Sequence, residues 1–458
     1  MSSGGFVSRK RSITFLTLCL CMVARLCSRA QGVELHGDLS VLGQVRQDDQ
    51  SRQTESPTDL YGDLGVAGLH HGTSLDTYFR LAHNFGTGQG PTEFYNGSIR
   101  VPGAIPGVDF TLGRQFLNEG GGVFIADAGK VSIDPGGPFA FTLFGGQPRY
   151  FEPTFSSERL SQDEQIFGGS VRTTYLKNGY LSLGYFQQDR DQPVPNQPDQ
   201  RVLRQLISAA GSQAFPMLPG LPNFYGSAAL DAKRQNLDQA TAGFDVFLAQ
   251  PRLSFNFEST YYKPQDQGER LQTDINRRED PIFELFSLSQ MLQFRGGLRY
   301  MLSRTLSAFG DYSYQRYEQL DNNFINGHVG STGLLWLPGG DGLEVVRLEY
   351  YVIDGGSGNV NGGKFYYESR VYDRILFRTK ADVAYYEKSS NERDTAVTSL
   401  LGLGYAFTRD LVAELDFEAN HNKRFNEDFR FGFLITYKVR QRTDQPASAR
   451  AASGRDAS

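Results

Sequence analysis

The strongest constraint on the fold is an alternation of apolar and polar side chains near the C-terminal end of the chain. Over residues 428–440 the apolar side chains occupy every second position, and the positions between them are mostly polar. A strand sends successive side chains to opposite faces, whereas a helix would scatter them around its circumference. The segment is therefore predicted to be a β-strand with one apolar face, formed by Phe429, Phe431, Phe433, Ile435, Tyr437 and Val439.

The same period of two recurs along the chain, for example over residues 252–263 and 411–422. It predicts about 20 strands, many about 10 to 13 residues long, whereas strands of soluble sheets are mostly about 5 or 6 residues. Tilted strands that cross a bilayer need about 9 to 11 residues. We therefore predict an all-β, transmembrane, antiparallel up-and-down β-barrel of about 16–20 strands, with about 18–20 as the best estimate. A soluble secreted sandwich or propeller is the less favoured alternative.

The composition agrees with a barrel rather than with helical membrane segments. The 458 residues include 34 Phe, 23 Tyr and 51 Gly, yet the mean hydropathy is only −0.41. Apolar residues that face lipid and polar residues that face a lumen cancel in such an average. A chain rich in aromatic residues but polar on average is therefore expected of a barrel.

The N-terminal 30 residues have the layout of an export signal. Basic residues at positions 9–11 precede an apolar run over residues 13–24, and the small pair Ser28 and Ala30 follows. The run is shorter than the roughly 20 residues that a membrane helix needs. We predict a signal peptide over residues 1–30, with a retained anchor as the alternative. All three cysteines lie within it, so the mature chain would have no disulfide.

The predicted domain organisation is a barrel over residues 31–440 and a disordered periplasmic tail over 441–458. Links between the predicted strands alternate between short turns and long segments, as expected when turns lie on the periplasmic side and loops outside. The long links fall near residues 45–58, 148–163, 189–238, 264–288 and 355–362. The loop over 189–238 is apolar enough to fold inward and narrow a pore, or to form an outward cap.

Charged side chains fall on the polar faces of the predicted strands, which would face the lumen. They are candidates for lining a hydrated pore, although they could also form ion pairs along an occluded wall. The candidates are Arg80, Arg172, Arg252, Glu258, Arg295, Arg299, Arg347, Glu349, Arg378, Lys380, Asp382, Glu414, Asp416, Glu418, Arg430 and Lys438, and Asp245 is placed on the same face.

Little in the sequence points to catalysis, so we predict that the protein is not an enzyme. The six histidines have no metal-ligand spacing, and neither a metal nor a cofactor is expected. His70 and His71 are adjacent, which would send them to opposite faces of a strand or place them in its turn. The formal charge of −5 becomes more negative without the basic signal peptide, which disfavours nucleic acid as a partner.

Three short segments resemble the early strands of large Gram-negative porin-like proteins. They are the stretch Phe110-Thr111-Leu112-Gly113-Arg114-Gln115, the pair Gly121-Gly122, and residues 139–146 with the terminal pair Gly145-Gly146. The resemblance covers about 40 residues and implies diffusion of solutes through the outer membrane.

The residues and the resemblance favour an outer-membrane channel for ions and small hydrophilic solutes, in contact with outer-membrane lipid. The alternative is a barrel that sheathes a partner such as a multihaem cytochrome. The chain has no Cys-x-x-Cys-His segment, so any haem would belong to that partner. A third hypothesis is that the barrel is an enzyme, which would require an acidic residue and a histidine within hydrogen-bond distance of each other at one rim of the barrel. Whether the barrel forms a homotrimer stays open.

Overall fold

The structure is a computed structural model. It describes residues 33–47, 54–85, 90, 92–119, 122–150, 159–160, 164–173, 175–190, 202–233, 235–248, 252–263, 290–318, 324–339, 343–355, 358–372, 374–388, 393–422 and 428–442. The predicted signal peptide and the predicted loop over 264–288 lie outside these ranges. Within them no helix is long and apolar enough to cross a bilayer.

The described residues form β-strands and the turns between some of them, with one 3-10 helix at His70–Gly72. The strands are β1 (Glu34–Gln47), β2 (Thr54–Glu55), β3 (Pro57–Ala67), β4 (Ser74–Asn84), β5 (Thr92–Ile105), β6 (Val108–Glu119), β7 (Gly122–Ile133), β8 (Phe139–Tyr150), β9 (Arg159–Leu160), β10 (Glu164–Thr173), β11 (Gly179–Arg190), β12 (Val202–Ala214), β13 (Asn223–Asp231), β14 (Asn236–Leu248), β15 (Leu253–Tyr262), β16 (Met291–Met301), β17 (Leu306–Glu318), β18 (Phe324–Trp336), β19 (Glu344–Gly355), β20 (Gly358–Val371), β21 (Ile375–Lys388), β22 (Arg393–Ala406), β23 (Leu411–His421) and β24 (Asp428–Arg442).

Each long strand pairs antiparallel with the next long strand in the chain, and the sheet closes on itself. The first strand pairs with the last over a full register, from Glu34 opposite Arg442 to Arg46 opposite Arg430. The two-residue strands β2 and β9 only extend the ends of β1 and β8. The remaining 22 described strands form a closed up-and-down barrel, which is the predicted fold class with two strands more than the predicted range.

The two additional strands are β12 and β13, and they correct the prediction of one long loop over 189–238. Both are fully integrated into the wall, since β12 pairs with β11 and β13 pairs with β14. Their faces carry many Ala, Gly and Ser residues, which weakens the contrast between an apolar and a polar face. The period of two is therefore present in the structure but faint in the sequence.

Two further boundaries differ from prediction. The long link expected over 355–362 is a tight connection, in which Gly355 pairs directly with Gly358. The last strand continues through Arg442, two residues into the predicted tail, because its end pairs with the first residues of β1. The rest of that tail lies outside the described ranges.

Contacts between strands that are not neighbours identify the inner face of the wall. Phe124 of β7 stacks on Phe186 of β11 with ring centroids 4.4 Å apart, although β8 and β10 lie between them. Side chains converge in this way only on the concave side of a closed barrel. Residues paired directly across strands point to the same side, so the register extends this assignment around the barrel.

The outer face is apolar and rich in aromatic residues. A continuous row of ring contacts runs across β13 to β17, through Phe224, Phe244, Phe257, Phe294 and Tyr314. On the last strand, the alternating residues predicted to form the apolar face lie on this outer side, and most are exposed. The outer surface therefore has the chemistry of a surface that faces lipid.

The inner face is mostly polar but carries one apolar cluster that the sequence pattern did not reveal. Seven side chains from β6, β7, β8, β10, β11 and β12 are buried there, with Phe124 packed against them. A wide barrel exposes most of its inner face, so their burial indicates that the wall departs from a circular cross-section at this place. The cluster consists of Leu117, Ala126, Ala128, Phe144, Ile166, Phe186 and Leu206.

Candidate functional site

The inner face carries almost all of the charged residues singled out from the sequence. The strand register places fifteen of the sixteen on that face. The exception is Arg252, which lies in the connection before β15 and whose backbone oxygen accepts a hydrogen bond from Met301. The alternation of side chains along each strand decides the face, so this placement follows from local sequence.

The densest group of charges lies on β21 to β24. The Nη2 of Arg378 lies 2.6 Å from Asp416 Oδ2 and 3.1 Å from Glu414 Oε2, and its Nε donates to Asp416 Oδ1 at 3.2 Å. Gly402 of β22 lies between Arg378 and Asp416 in the register. A side chain at Gly402 would stand 2.5 Å from Arg378 Cγ and 2.6 Å from Asp416 Oδ1. The glycine therefore allows the arginine to reach across a whole strand.

Arg430 continues this row of charges onto the last strand. Its Nε donates to Asp428 Oδ2 at 2.7 Å, and its Nη1 lies 3.7 Å from Glu418 Oε1. Beyond the closure of the barrel, Arg46 on β1 lies opposite Arg430 and pairs with Glu55 at 2.7 Å. Positive and negative groups thus alternate around this arc of the inner wall.

In a second group, on β19 to β21, a glycine again allows a side chain to reach across a strand. Tyr351 lies across Gly362 of the neighbouring strand and donates from its hydroxyl to Asp382 Oδ1 at 2.9 Å. The Nζ of Lys364 stands 4.3 Å from the Tyr351 ring, a cation–π arrangement. Arg347 pairs with Glu349 at 2.7 Å. The hydroxyl and the cation bring hydrogen-bond donors to a wall that also carries two carboxylates.

The remaining candidates lie on β4, β10, β21 and β24, and Lys380 stands between Arg378 and Asp382 on the inner face of β21. The Arg172 guanidinium stands 4.4 Å from the centre of the Tyr180 ring. Lys438 lies opposite Asp38 on β1, and Lys380 lies opposite Tyr366. Arg80 belongs to a separate group near the closure of the barrel.

Arg80 is bound by two carboxylates that the sequence analysis did not single out. Its Nη2 lies 3.1 Å from Asp59 Oδ2, and its Nη1 lies 3.2 Å from Glu93 Oε2. The Tyr61 ring centre is 5.8 Å from the guanidinium carbon. Asp59 and Tyr61 occupy alternate positions of β3, so the period of two in the sequence could have placed them on the inner face. Glu93 lies before a bulge at Tyr95 in the β4–β5 register, so odd-numbered residues face inward there, whereas even-numbered residues do so in the rest of β5.

A cavity of about 370 Å³ opens on the opposite arc of the wall, between β14 and β19. Its charged and polar lining consists of Asp245, Ser254, Asn256, Arg299, Asp311 and Arg347, with Phe309 beside them. Gly297 leaves space there, because a side chain at that position would stand 2.2 Å from Asn256 Oδ1 and 2.8 Å from Asp311 Oδ1. Both signs of charge therefore border one recess.

Glu258 and Arg295 form a pair of direct cross-strand neighbours beyond this cavity. Glu258 accepts a hydrogen bond from the Tyr225 hydroxyl at 3.2 Å and lies opposite Arg295 in the register. Arg299 of the same strand has its Nη2 3.4 Å from the Ser307 hydroxyl. These contacts keep the charged ends near the wall rather than extended into the lumen.

Most of these ion pairs are partly exposed. The side chains of Arg378 and Asp416 are 28% and 30% exposed. Pairs that water reaches contribute only about 0–1 kcal/mol each to stability. Their larger effect is electrostatic, because a wall of fixed charges acts on any solute that passes close to it.

In the described ranges no group of three or more His, Cys, Asp or Glu side chains is placed to hold a metal ion. His70 lies in the 3-10 helix between β3 and β4, and His328 on the outer face contacts the Tyr312 hydroxyl through Nδ1 at 2.6 Å.

No protein-family model and no curated protein matches the sequence. Among solved structures, the chain is similar to Pseudomonas aeruginosa OccK2 (OpdF), with 10% identity, a TM-score of 0.44, and coverage of 89% of this chain and 97% of that chain. It is also similar to a BenF-like porin from Pseudomonas fluorescens Pf-5, with 8% identity, a TM-score of 0.45, and coverage of 89% and 99%. It is similar as well to the P pilus usher (PapC) translocation pore, with 8% identity, a TM-score of 0.47, and coverage of 89% of this chain and 99% of that chain.

Proposed function

We propose that the protein is an outer-membrane channel of a Gram-negative bacterium through which ions and small hydrophilic solutes diffuse. The observation that carries the proposal is a closed 22-strand barrel with an apolar outer face and a charged inner face. The pairing of the first strand with the last closes the sheet, and a sheet that crosses hydrocarbon must be closed in this way. Antiparallel barrels of this kind with apolar outer faces are the architecture of bacterial outer membranes.

The width of the barrel supports passage of solutes. Barrels of about 8 strands are filled by their own side chains, those of about 16 to 18 strands leave an aqueous channel, and outer-membrane transporters of about 22 strands hold a plug in a still wider lumen. The side chains of this wall are therefore too short to fill its lumen. The partial exposure of Arg80, Arg378, Asp416 and Arg430 on the inner face agrees with a hydrated lumen.

The inner-face charges are the filter in this proposal. Acidic and basic groups alternate along β19 to β24, so a passing solute would meet donors and acceptors of both signs. Such a wall replaces part of the hydration shell of a polar solute and offers nothing to an apolar one. We therefore expect selection for small hydrophilic solutes rather than strict exclusion of one ion sign.

The test is single-channel conductance of the purified, refolded protein in a planar lipid bilayer, with the reversal potential measured under a salt gradient. Ohmic openings are expected. A protein that inserts and retains its β-sheet signal but never conducts would contradict the proposal and would favour a barrel filled by a partner.

Fractionation of the host cell checks the location separately. The protein should be found with outer-membrane markers and should be shortened at its N-terminus by about 30 residues, the length of the predicted export signal. Recovery in the soluble periplasmic fraction would contradict the membrane assignment.

A further inference from the structure

The wall is split on one side of the hairpin formed by β6 and β7. Strand β5 pairs with β6 only from Ile105 opposite Val108 up to Gly97 opposite Arg114. Beyond that point, residues 115–119 of β6 pair with β7 alone, and residues 92–96 of β5 pair with β4 alone. β5 and β6 therefore separate at the end of the barrel opposite the chain termini.

A matching split lies on the other side, between β8 and β10. Their pairing ends where Gly146 lies opposite Ile166, whereas β8 continues to pair with β7 as far as Arg149. The tips of β6, β7 and β8 are thus paired with one another through their backbones but not with β5 or β10, and the end of β8 also pairs with the two-residue strand β9. We call these tips, residues 114–119, 122–127 and 147–150, the flap.

Glycines lie where each split begins. Gly113 has a φ of +117°, and a side chain there would stand 2.2 Å from the backbone oxygen of Gly97. Gly146 lies equally close to its neighbour, with a side chain placed 2.3 Å from the backbone oxygen of Asp127. A positive φ and contacts this short are open to glycine and strained for other residues. Gly113 and Gly146 therefore allow the backbone to bend and to pack closely where the flap leaves the wall.

The flap leans into the lumen and contacts the inner face of β10 and β11. Neighbouring strands are about 4.8 Å apart, so β7 and β11, three steps apart, would be about 14 Å apart along a regular wall. Instead the Phe124 and Phe186 rings stack at 4.4 Å. The hydroxyl of Ser170 on β10 donates to Glu119 Oε2 at 2.8 Å. Leu117 is only 1% exposed in this contact.

Charged side chains join the three tips on their other face. Asp127 of β7 accepts from Arg114 Nε at 2.7 Å and also from Arg149 of β8. Arg114 Nη1 donates at 2.8 Å to the backbone oxygen of Phe94, on the separated end of β5. A single arginine therefore connects the flap to the strand from which it has parted. The ion pairs join β6, β7 and β8 within the flap.

We propose that the flap is the constriction of the pore and that it moves about the line between Gly113 and Gly146, held inward by the packing of Phe124 and Leu117 against Phe186. This inference rests on the proposed channel function and adds the element that sets the size of the opening. When the flap swings back toward the line of the wall, the lumen widens; when it lies on β10 and β11, the lumen is narrow.

The test locks the flap in place. Glu119→Cys with Ser170→Cys would be joined by oxidation or by a short thiol-specific cross-linker, since β6 backbone lies within 8 Å of β10 and all cysteines of the chain precede residue 31. We expect the cross-linked channel to lose its larger conductance level and to regain it on reduction. The control is Ser182→Cys with Ala210→Cys, a directly paired position in the fixed wall, where cross-linking should change nothing.

A second variant removes the packing instead. Phe186→Ala should increase the time spent at the larger conductance level, whereas Phe257→Ala, in the row of aromatic residues on the outer face, should not. Steady conductance that is the same before and after cross-linking, together with an unchanged Phe186→Ala channel, would overturn the flap and leave the channel proposal intact. Silence of the unmodified protein and of every variant would overturn the channel proposal, and the flap with it.

Discussion

Arg378 and Asp416 are bonded to each other across an entire strand, because the residue between them is Gly402. Tyr351 reaches Asp382 past Gly362 in the same manner. In both cases a glycine on the middle strand leaves a groove for a long side chain. The contacts between side chains on alternate strands of the inner wall thus depend on where the glycines lie as much as on the polar residues themselves.

The role of Gly402 can be tested against a closely matched position. Asp416 lies directly opposite both Gly402 and Gly432. A side chain at Gly402 would stand 2.5 Å from Arg378 Cγ, whereas at Gly432 the nearest atom is 3.7 Å away. We expect Gly402→Ala to destabilise the barrel by about 1–3 kcal/mol, the usual cost of overpacking. Gly432→Ala should be neutral by the same denaturant titration, and equal effects of the two substitutions would contradict this explanation.

Removal of the Arg378 charge should change ion selectivity. Arg378→Gln leaves Glu414 and Asp416 without their basic partner, so the inner wall becomes more negative. The reversal potential under a salt gradient should then shift toward cation selectivity. Arg409→Gln makes the same change of net charge in the β22–β23 connection and should have little effect. A shift of equal size in both variants would point to overall charge rather than to this site.

Adjacent positions on β12 test whether this segment is a membrane strand. Ile207 lies on the outer face and is 52% exposed, whereas Ser208 lies on the inner face. A charged residue on the lipid side of such a strand costs up to about 2–4 kcal/mol. We expect Ile207→Lys to lower the stability of the folded barrel and Ser208→Lys to be tolerated. If both substitutions were tolerated, both faces of β12 would be in contact with water and the strand would lie outside the hydrocarbon of the bilayer.

The single tryptophan provides a probe of the outer face that needs no labelling. Trp336 lies at the end of β18 on the outer side, opposite Leu306 and Val346. In lipid vesicles its fluorescence should be quenched by brominated lipid chains more strongly than by aqueous acrylamide. The reverse ranking would show that this end of the strand lies outside the bilayer.

The strain at Gly113 gives a further prediction. Its φ of +117° and its contact with Gly97 make Gly113→Ala unfavourable, with an expected loss of about 1–3 kcal/mol. Gly145→Ala is the control, because the nearest atom to a side chain there is 3.8 Å away. Thermal unfolding followed by gel mobility would report both. A tolerated Gly113→Ala would mean that the backbone at this point relaxes easily.

The sequence by itself determined the fold class and the face of each strongly alternating strand. The pattern over residues 428–440 is enough to predict β24, and the same parity places Arg378, Asp382, Asp416 and Arg430 on the polar face. The physical reason is local, since consecutive side chains of a strand must point in opposite directions.

Only the tertiary structure decided the number of strands, the partners of each charge and the course of the wall at β6 to β8. β12 and β13 were hidden by small residues on both faces, and Glu93 was hidden by a bulge that reverses parity. The contacts of Arg80 with Asp59 and of Phe124 with Phe186 join separate strands. Their existence depends on register and on the curvature of the whole sheet, which no single segment of sequence contains.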